Sequence, residues 1–203
     1  MLPEQFPVSL TDAIASTALL LTLFHMWLTS FRRGDVRMTT PTMICFTLDR
    51  SSNSSNEFRP KIFLRTLLYS TGERGRIIDS MFLKLHWRSA SGIARSRTFG
   101  FWVFGEDKLS RGSGLYVGTT GVAFNHHFVL ADQGGEFPFE EQIYTIAVHA
   151  TIVGRKQIKL CEVRLRLSSE QAASIARDGA AVFFDWIPDE QRYGRLTELP
   201  LPR

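Results

Sequence analysis

The pattern of apolar and polar positions changes character early in the chain. From Ala13 to Phe31 the sequence reads AIASTALLLTLFHMWLTSF, 19 residues without an Asp, Glu, Lys or Arg. An α-helix rises about 1.5 Å per residue, so this run spans roughly 28 Å, close to the ~30 Å hydrocarbon core of a bilayer. Thr11 or Asp12 is placed to cap such a helix. Trp27 falls near its C-terminal end, where an indole favours the membrane interface. Arg32 and Arg33 end the run abruptly. A cleaved signal peptide requires a basic leader and a small-residue cleavage site, and neither is present. A buried helix of a soluble domain requires a polar face, which the run lacks. The pattern predicts a transmembrane helix. His25 lies inside it and reads as a neutral side chain facing a neighbouring helix.

Beyond Arg33 the period shortens to two. Pro41–Leu48 and Pro60–Ser70 read as strands on either side of the polar patch SSNSSN, residues 51–56. In Met81–Arg88, Met81, Leu83, Leu85 and Trp87 alternate with polar side chains, which marks a half-buried strand. Thr98–Phe104 (TFGFWVF) is apolar on both faces and reads as a central strand. In Gly121–Leu130, Val122, Phe124, His126, Phe128 and Leu130 share one face. Ile143–Val153 and Lys156–Leu167 flank Gly154-Arg155, a pair suited to a type II′ hairpin turn. That register puts Tyr144 opposite Leu165, Ile146 opposite Val163 and Val148 opposite Cys161, all on one apolar face. It puts His149 opposite Leu160 on the other.

Helix returns once. Ser168 and Gln171 form a capping box, Arg177 lies in the last turn and Gly179 closes it. Ala172, Ala173, Ile175 and Ala176 make its apolar face. Ala180–Trp186 reads as a last strand. The expected organisation is a tail over residues 1–12, a transmembrane helix over 13–31, a juxtamembrane linker over 32–40, a β domain over 41–187 and a polar tail over 188–203. Repeated strands with almost no helix predict an antiparallel immunoglobulin-like β-sandwich. Tyr144 takes the place of the corner Tyr in the penultimate strand of such domains. Ile143 replaces the usual Gly before it, and the Cys…Trp…Cys core is missing.

Composition agrees with a folded chain: 203 residues, 44% hydrophobic and 22% charged, with 16 Phe and 15 Gly. Two cysteines exclude a disulfide-dense scaffold and a four-cysteine zinc site. Charge adds an orientation. Arg32, Arg33 and Arg37 follow the apolar run and no basic residue precedes it, so the C-terminal domain is expected in the cytoplasm and the N-terminus outside. Residues 34–111 carry 13 basic and 7 acidic side chains, and residues 112–203 carry 9 and 11. The basic half next to the membrane, with Arg32, Arg33 and Arg37, can contact anionic lipid. The sequon Asn53-Ser54-Ser55 matters only for a domain in a secretory lumen, which this topology excludes.

Candidate chemistry is sparse. Cys45 and Cys161 read as packing residues and, in the cytoplasm, as free thiols. His126 and His127 point to opposite faces of one strand, so they cannot share a metal. His126 reads as a core residue. Asn125 and His127 share the other face, where His149 or His86 could complete a site across strands. The stretch RGSGLYVGTTG, residues 111–121, lacks both the dinucleotide spacing and the GK[ST] of a phosphate loop, and reads as two turns framing a short strand. Arg88, Arg95 and Arg97 beside Phe99, Phe101 and Trp102 match a single-strand nucleic-acid pattern. Strand cores beside a basic loop look the same, and that reading is preferred. Asp185, Asp189 and Glu190 lie near the C-terminal edge without a partner motif.

Four stretches carry a family resemblance: FRRGDVRMTTPT (31–42), FLRTLLYSTGERGRIIDSM (63–81), RGSGLYVGTTGVAFNHHF (111–128) and FDWIPDEQRY (184–193). They resemble an uncharacterised family of small bacterial single-pass membrane proteins. The resemblance implies an N-terminal anchor and a β-rich soluble domain, and brings no activity or site residues. The expectation is therefore a non-catalytic interaction or structural module in the bacterial inner membrane, held by a signal anchor and meeting an unidentified protein partner. No catalytic, cofactor-binding or metal-binding residue is assigned. The alternatives are a ligand- or metal-binding sandwich, enzymatic or not, using the Asn125, His127 and His149 face, and an extracytoplasmic surface or carbohydrate-binding module.

Overall fold

The computed structural model describes residues 9–31, 34–50, 58–89, 91–105, 110–130 and 137–195. Arg32, Arg33, the Asn53 sequon and the ends of both expected tails lie outside the described residues.

The apolar run forms α1 (Leu10–Met26), continued by a π-helical turn over Trp27–Phe31. The helix begins earlier than expected. Its cap is Ser9, whose hydroxyl accepts from the Asp12 N–H while the Asp12 carboxylate accepts from the Ser9 N–H. Asp12 thus closes a capping box from the third helical position and is not itself the cap. Leu10–Thr29 is long and apolar enough to cross a membrane, and none of it is buried against the rest of the chain.

The remainder is mainly β, in two antiparallel sheets. The strands are β1 (Val36–Met38), β2 (Met43–Arg50), β3 (Phe58–Ser70), β4 (Arg76–Arg88), β5 (Ala94–Phe99), β6 (Phe101–Gly105), β7 (Ser110–Arg111), β8 (Leu115–Val117), β9 (Val122–Val129), β10 (Gln142–Ile152), β11 (Ile158–Leu167), β12 (Val182–Ile187) and β13 (Arg192–Arg195). The first sheet runs β13-β12-β2-β3-β9-β6-β7, with β1 also on β3. The second runs β11-β10-β4-β5, with β8 also on β4. The inner faces of both sheets contribute to one core. Ile44, Phe46, Ile62, Leu64 and Phe128 come from the first sheet, and Met81, Leu83, Leu85, Tyr144, Ile146 and Val148 from the second. Each fully buried apolar side chain contributes about 1.5–3 kcal/mol, so the two faces stabilise each other rather than themselves.

The expected continuous strand over 98–104 is broken. Phe99 ends β5 in the second sheet and Phe101 begins β6 in the first, with Gly100 between them. A Cβ at Gly100 would meet nothing within 4 Å, so the crossing is exposed and uncrowded. The break explains the two-sided apolar pattern. Phe99 and Trp102 are three residues apart and would face opposite ways in one strand, yet both enter the core because the chain changes sheet between them.

The hairpin β10–β11 keeps the expected register from Gln142↔Leu167 to Val148↔Cys161. A bulge then shifts it, so His149 faces Lys159 and not Leu160. The turn also differs from the expected type II′ pair. The Arg155 N–H donates to the Ile152 carbonyl, which places Gly154 third in the turn with φ +74°. A left-handed third residue is the requirement of a type II turn, and the bulge, which leaves Leu160 unpaired in β11, shortens the span from Ala150 to its partner by one residue.

The second helix, α2 (Ser169–Asp178), has the expected ends: the Ser168–Gln171 capping box and Gly179 at φ +61°. Ala172 and Ile175 are buried, whereas Ala176 is exposed. Two short strands lie in segments expected as linker and tail. In β1, Val36 and Met38 turn inward beside β3. In β13, Tyr193 packs on Trp186 and its hydroxyl donates to the Pro41 carbonyl. Each carries too few apolar residues to show a period. The segment over 111–121 contains β8 between turns at Gly114 and Gly121, as its glycines imply.

Tyr144 is buried, and its hydroxyl accepts from the Glu140 N–H (3.0 Å) and donates to the Glu140 carbonyl (3.1 Å). This pair fastens the segment before β10 to the strand. Tyr144→Phe removes both bonds from a nearly dry corner and is expected to cost about 1–2 kcal/mol. Urea unfolding of the full chain in detergent should show a lower midpoint with an unchanged slope.

Candidate functional site

The histidines expected to converge do not. His127 and Asn125 sit on β9, on the outward face of the first sheet, where His127 lies against Phe63 with ring centroids 5.1 Å apart. His86 and His149 sit on β4 and β10 of the second sheet. There His149 stacks on Phe82 and hydrogen-bonds Gln157. The outward faces of two packed sheets point apart, so the four residues form two separate groups. Among the described residues, no three His, Cys, Asp or Glu side chains come together as a metal-binding group.

His126 is a core residue. Its Nδ1 accepts from Trp102 Nε1–H at 3.2 Å, so the neutral ring carries its proton on Nε2. Nε2 is buried with no hydrogen-bond partner among the described residues. Burial, then the neighbouring His127, lowers its pKa to about 4. His127 is also lowered to about 4, first by burial and then by Lys61.

Both thiols are unbridged. Burial pushes the pKa of Cys45 and of Cys161 up to about 12, which leaves no nucleophilic thiolate at neutral pH. Cys161 takes its expected place on the hairpin's apolar face. Cys45 instead sits beside Phe63 and Phe183 in the cross-strand register, on the outward side of β2.

One concave site assembles from distant parts of the chain. A pocket of about 310 Å³ is lined by Trp87, Arg95, Arg97, Phe137, Glu140 and Tyr144, with Ser96 and Pro138. Its position follows from strand parity. Arg95 pairs with Trp87 and Arg97 with Leu85, and both arginines share the side of β5 that farther along carries buried Phe99. The edge strand thus extends its inward face past the end of the core. Phe137 closes the opposite wall, edge-on to Trp87 (5.1 Å) and to Phe99 (6.2 Å). The exposed Arg95, in a lining that also holds Trp87 and Phe137, suits an anionic group, and Glu140 in the same lining limits the net charge. The basic–aromatic stretch that resembled a nucleic-acid surface is divided by this geometry: Phe99 and Trp102 are in the core, and exposed Phe101 is covered by Arg111.

Sequence reasoning noticed Arg95 and Arg97 but not their partners. The available signal was Phe137-Pro138-Phe139, whose two aromatics needed a covering surface. Asp185, Asp189 and Glu190 stay at the β12–β13 edge.

Comparison with protein-family models and with curated proteins finds no match to this chain.

The two depressed histidines make stability depend on pH. Between the ordinary value near 6.5 and about 4, the unfolded chain binds more protons than the folded one. Stability is therefore complete above about pH 6.5 and falls as pH is lowered towards 4. The His126 shift corresponds to on the order of 3 kcal/mol, with a smaller contribution of the same sign from His127. Urea midpoints at pH 7 and pH 4.5 should show the loss. His126→Gln, which keeps an acceptor for Trp102, should flatten the profile.

Proposed function

We propose that this chain is a single-pass membrane protein whose β domain acts as a non-catalytic interaction module. One observation carries the reading. Leu10, Ile14, Leu19, Leu20, Leu21, Leu23, Phe24 and Met26 on α1, and Trp27 at the start of the turn that continues it, are all exposed, against neither sheet. Removing such side chains from water is worth about 1.5–3 kcal/mol each. Their sum, about 13–27 kcal/mol, reaches or exceeds the roughly 5–15 kcal/mol that holds a whole domain together. A helix of this kind requires another apolar phase, and its length matches a bilayer.

The finer fold reading is immunoglobulin-like. Support comes from the strand neighbours β2-β3-β9-β6 in one sheet and β11-β10-β4-β5 in the other. These correspond to the A-B-E-D and G-F-C-C′ order of such sandwiches. The Tyr144 corner in the penultimate of these strands adds to it. The resemblance to small bacterial membrane proteins favours the inner membrane. The basic residues Arg32, Arg33 and Arg37 favour a cytoplasmic domain with the N-terminus outside.

Geometry suggests how the module works. The strand β4 runs from Arg76, near the anchor, to Arg88, about 40 Å away at the rise of a strand. The Arg95–Arg97 pocket lies at the far end, turned towards the compartment and away from the bilayer. A protein partner meets this end first.

The test is a pair of C-terminal fusions, one active only outside the cytoplasm and one fluorescent only within it. The expected result is a cytoplasmic signal alone, with the chain resistant to alkaline carbonate. A signal only outside would transfer the domain to the envelope and favour the surface-module reading.

The pocket favours a second reading, binding of a small anionic ligand. A screen of carboxylates and phosphates against the detergent-solubilised chain should then raise its melting temperature by several degrees. The shift should vanish in Arg95→Glu.

A further inference from the structure

The junction between helix and domain is short and rigid at its far side. Phe31 ends the helical segment and Gly34 already belongs to the domain. Three residue steps reach at most about 11 Å. Gly34 is locked in place. A Cβ there would come within 2.0 Å of the Gly72 backbone nitrogen, and its carbonyl accepts from Arg76 Nε at 3.0 Å. The Asp35 N–H donates to Thr71 Oγ1 at 2.8 Å, and the Asp35 carbonyl accepts from the Thr71 N–H. The Asp35 carboxylate pairs with Arg155. The turns over 71–75 and 153–156 are therefore tied to the chain that enters from the helix.

This same corner exposes three large apolar side chains: Ile77 (42%), Tyr116 (56%) and Val153 (55%). They are neighbours. Ile77 and Tyr116 are paired across β4 and β8, and the Val153 N–H donates to the Ile77 carbonyl. Tyr116 also donates to the Arg74 carbonyl, and Gly75 (φ +63°) is bare beneath its ring, where a Cβ would meet the hydroxyl at 2.5 Å. Around the three stand Arg74, Arg155 and Lys156, all exposed, with Arg76 beside them and Asp35, Glu73 and Asp79 as the nearby acids.

We propose that this corner is a second membrane contact, a docking face for an anionic bilayer surface. Ile77, Tyr116 and Val153 enter the interfacial layer, and Arg74 and Lys156 meet lipid phosphates. The inference rests on the reading of α1 as an anchor. The short junction brings the corner to the bilayer, apolar side chains flanked by Arg74 and Lys156 match an interfacial layer, and a half-exposed Tyr suits the headgroup depth. The contact holds the domain in one orientation, with the Arg95–Arg97 pocket pointing away from the membrane.

Hydrogen exchange of the full chain tests it in three settings: detergent, phosphatidylcholine vesicles, and vesicles containing about a third phosphatidylglycerol, whose negative surface potential attracts basic segments. Amides in 72–77, 115–117 and 152–156 should exchange several-fold more slowly on the anionic vesicles than in detergent. Amides in 91–97, at the other end of β4, should not change. Arg74→Glu with Lys156→Glu should abolish the gain between neutral and anionic vesicles while folding is retained. Equal exchange in all three settings, by chain that still floats with the vesicles, would overturn the docking face alone. Chain released from the vesicles by carbonate would overturn the anchor, and the docking face with it.

Discussion

Phe46 packs edge-on to Phe139 (5.1 Å) and tilts against Tyr144 (5.9 Å), and through these rings the first sheet holds the second. The two inner faces make one core, with Ala172 and Ile175 of α2 and with Phe137 and Phe139. The alternation along β3, β4 and β10 produces an apolar side only if something opposes it at the ~10 Å spacing of packed sheets. Closure explains several local features together. The chain changes sheet at Gly100, so Phe99 and Trp102 both serve the core. The Tyr144 hydroxyl spends its hydrogen bonds on Glu140 and so brings Phe137 and Phe139 over the open end. His126 is tolerated in the core because Trp102 supplies a donor to one nitrogen.

The same closure separates the chemistry. Side chains that alternate on one strand are sent to different environments, so His126 is buried and His127 is not in contact with the other sheet's histidines. Groups at the ends of the strands converge instead. At one end of β4 the edge strand carries Arg95 and Arg97 beyond the core, opposite Phe137. At the other, the chain from α1 is stitched to the turns that hold Arg74 and Arg155. The chain from the proposed anchor and the proposed binding end thus meet opposite ends of β4.

Much of this was legible in local residue order. The helix α2 was readable because its caps are chemical: Ser168 and Gln171 exchange hydrogen bonds three residues apart, and Gly179 supplies a left-handed end. The β10–β11 register was readable because a slip by one residue would bury Arg164 and Glu162. The bulge after Val148 was not, since it lies beyond the apolar pairs and only shifts the last pairs of the hairpin by one residue. The start of α1 was misplaced because Thr11 and Asp12 both read as caps, whereas Asp12 is the inner partner of Ser9 in one box.

Residue order by itself determined the apolar helix, the period-two strands, the closing caps and the sorting of the hairpin into two faces. All of these depend on neighbours within a few positions. The tertiary structure decided which strands share a sheet, where the chain crosses, that β1 and β13 are strands at all, and which arginines face an aromatic wall. Those outcomes depend on pairing energies between segments far apart in sequence. An inward or outward position is set by periodicity, but the group it meets there is set by the opposing sheet.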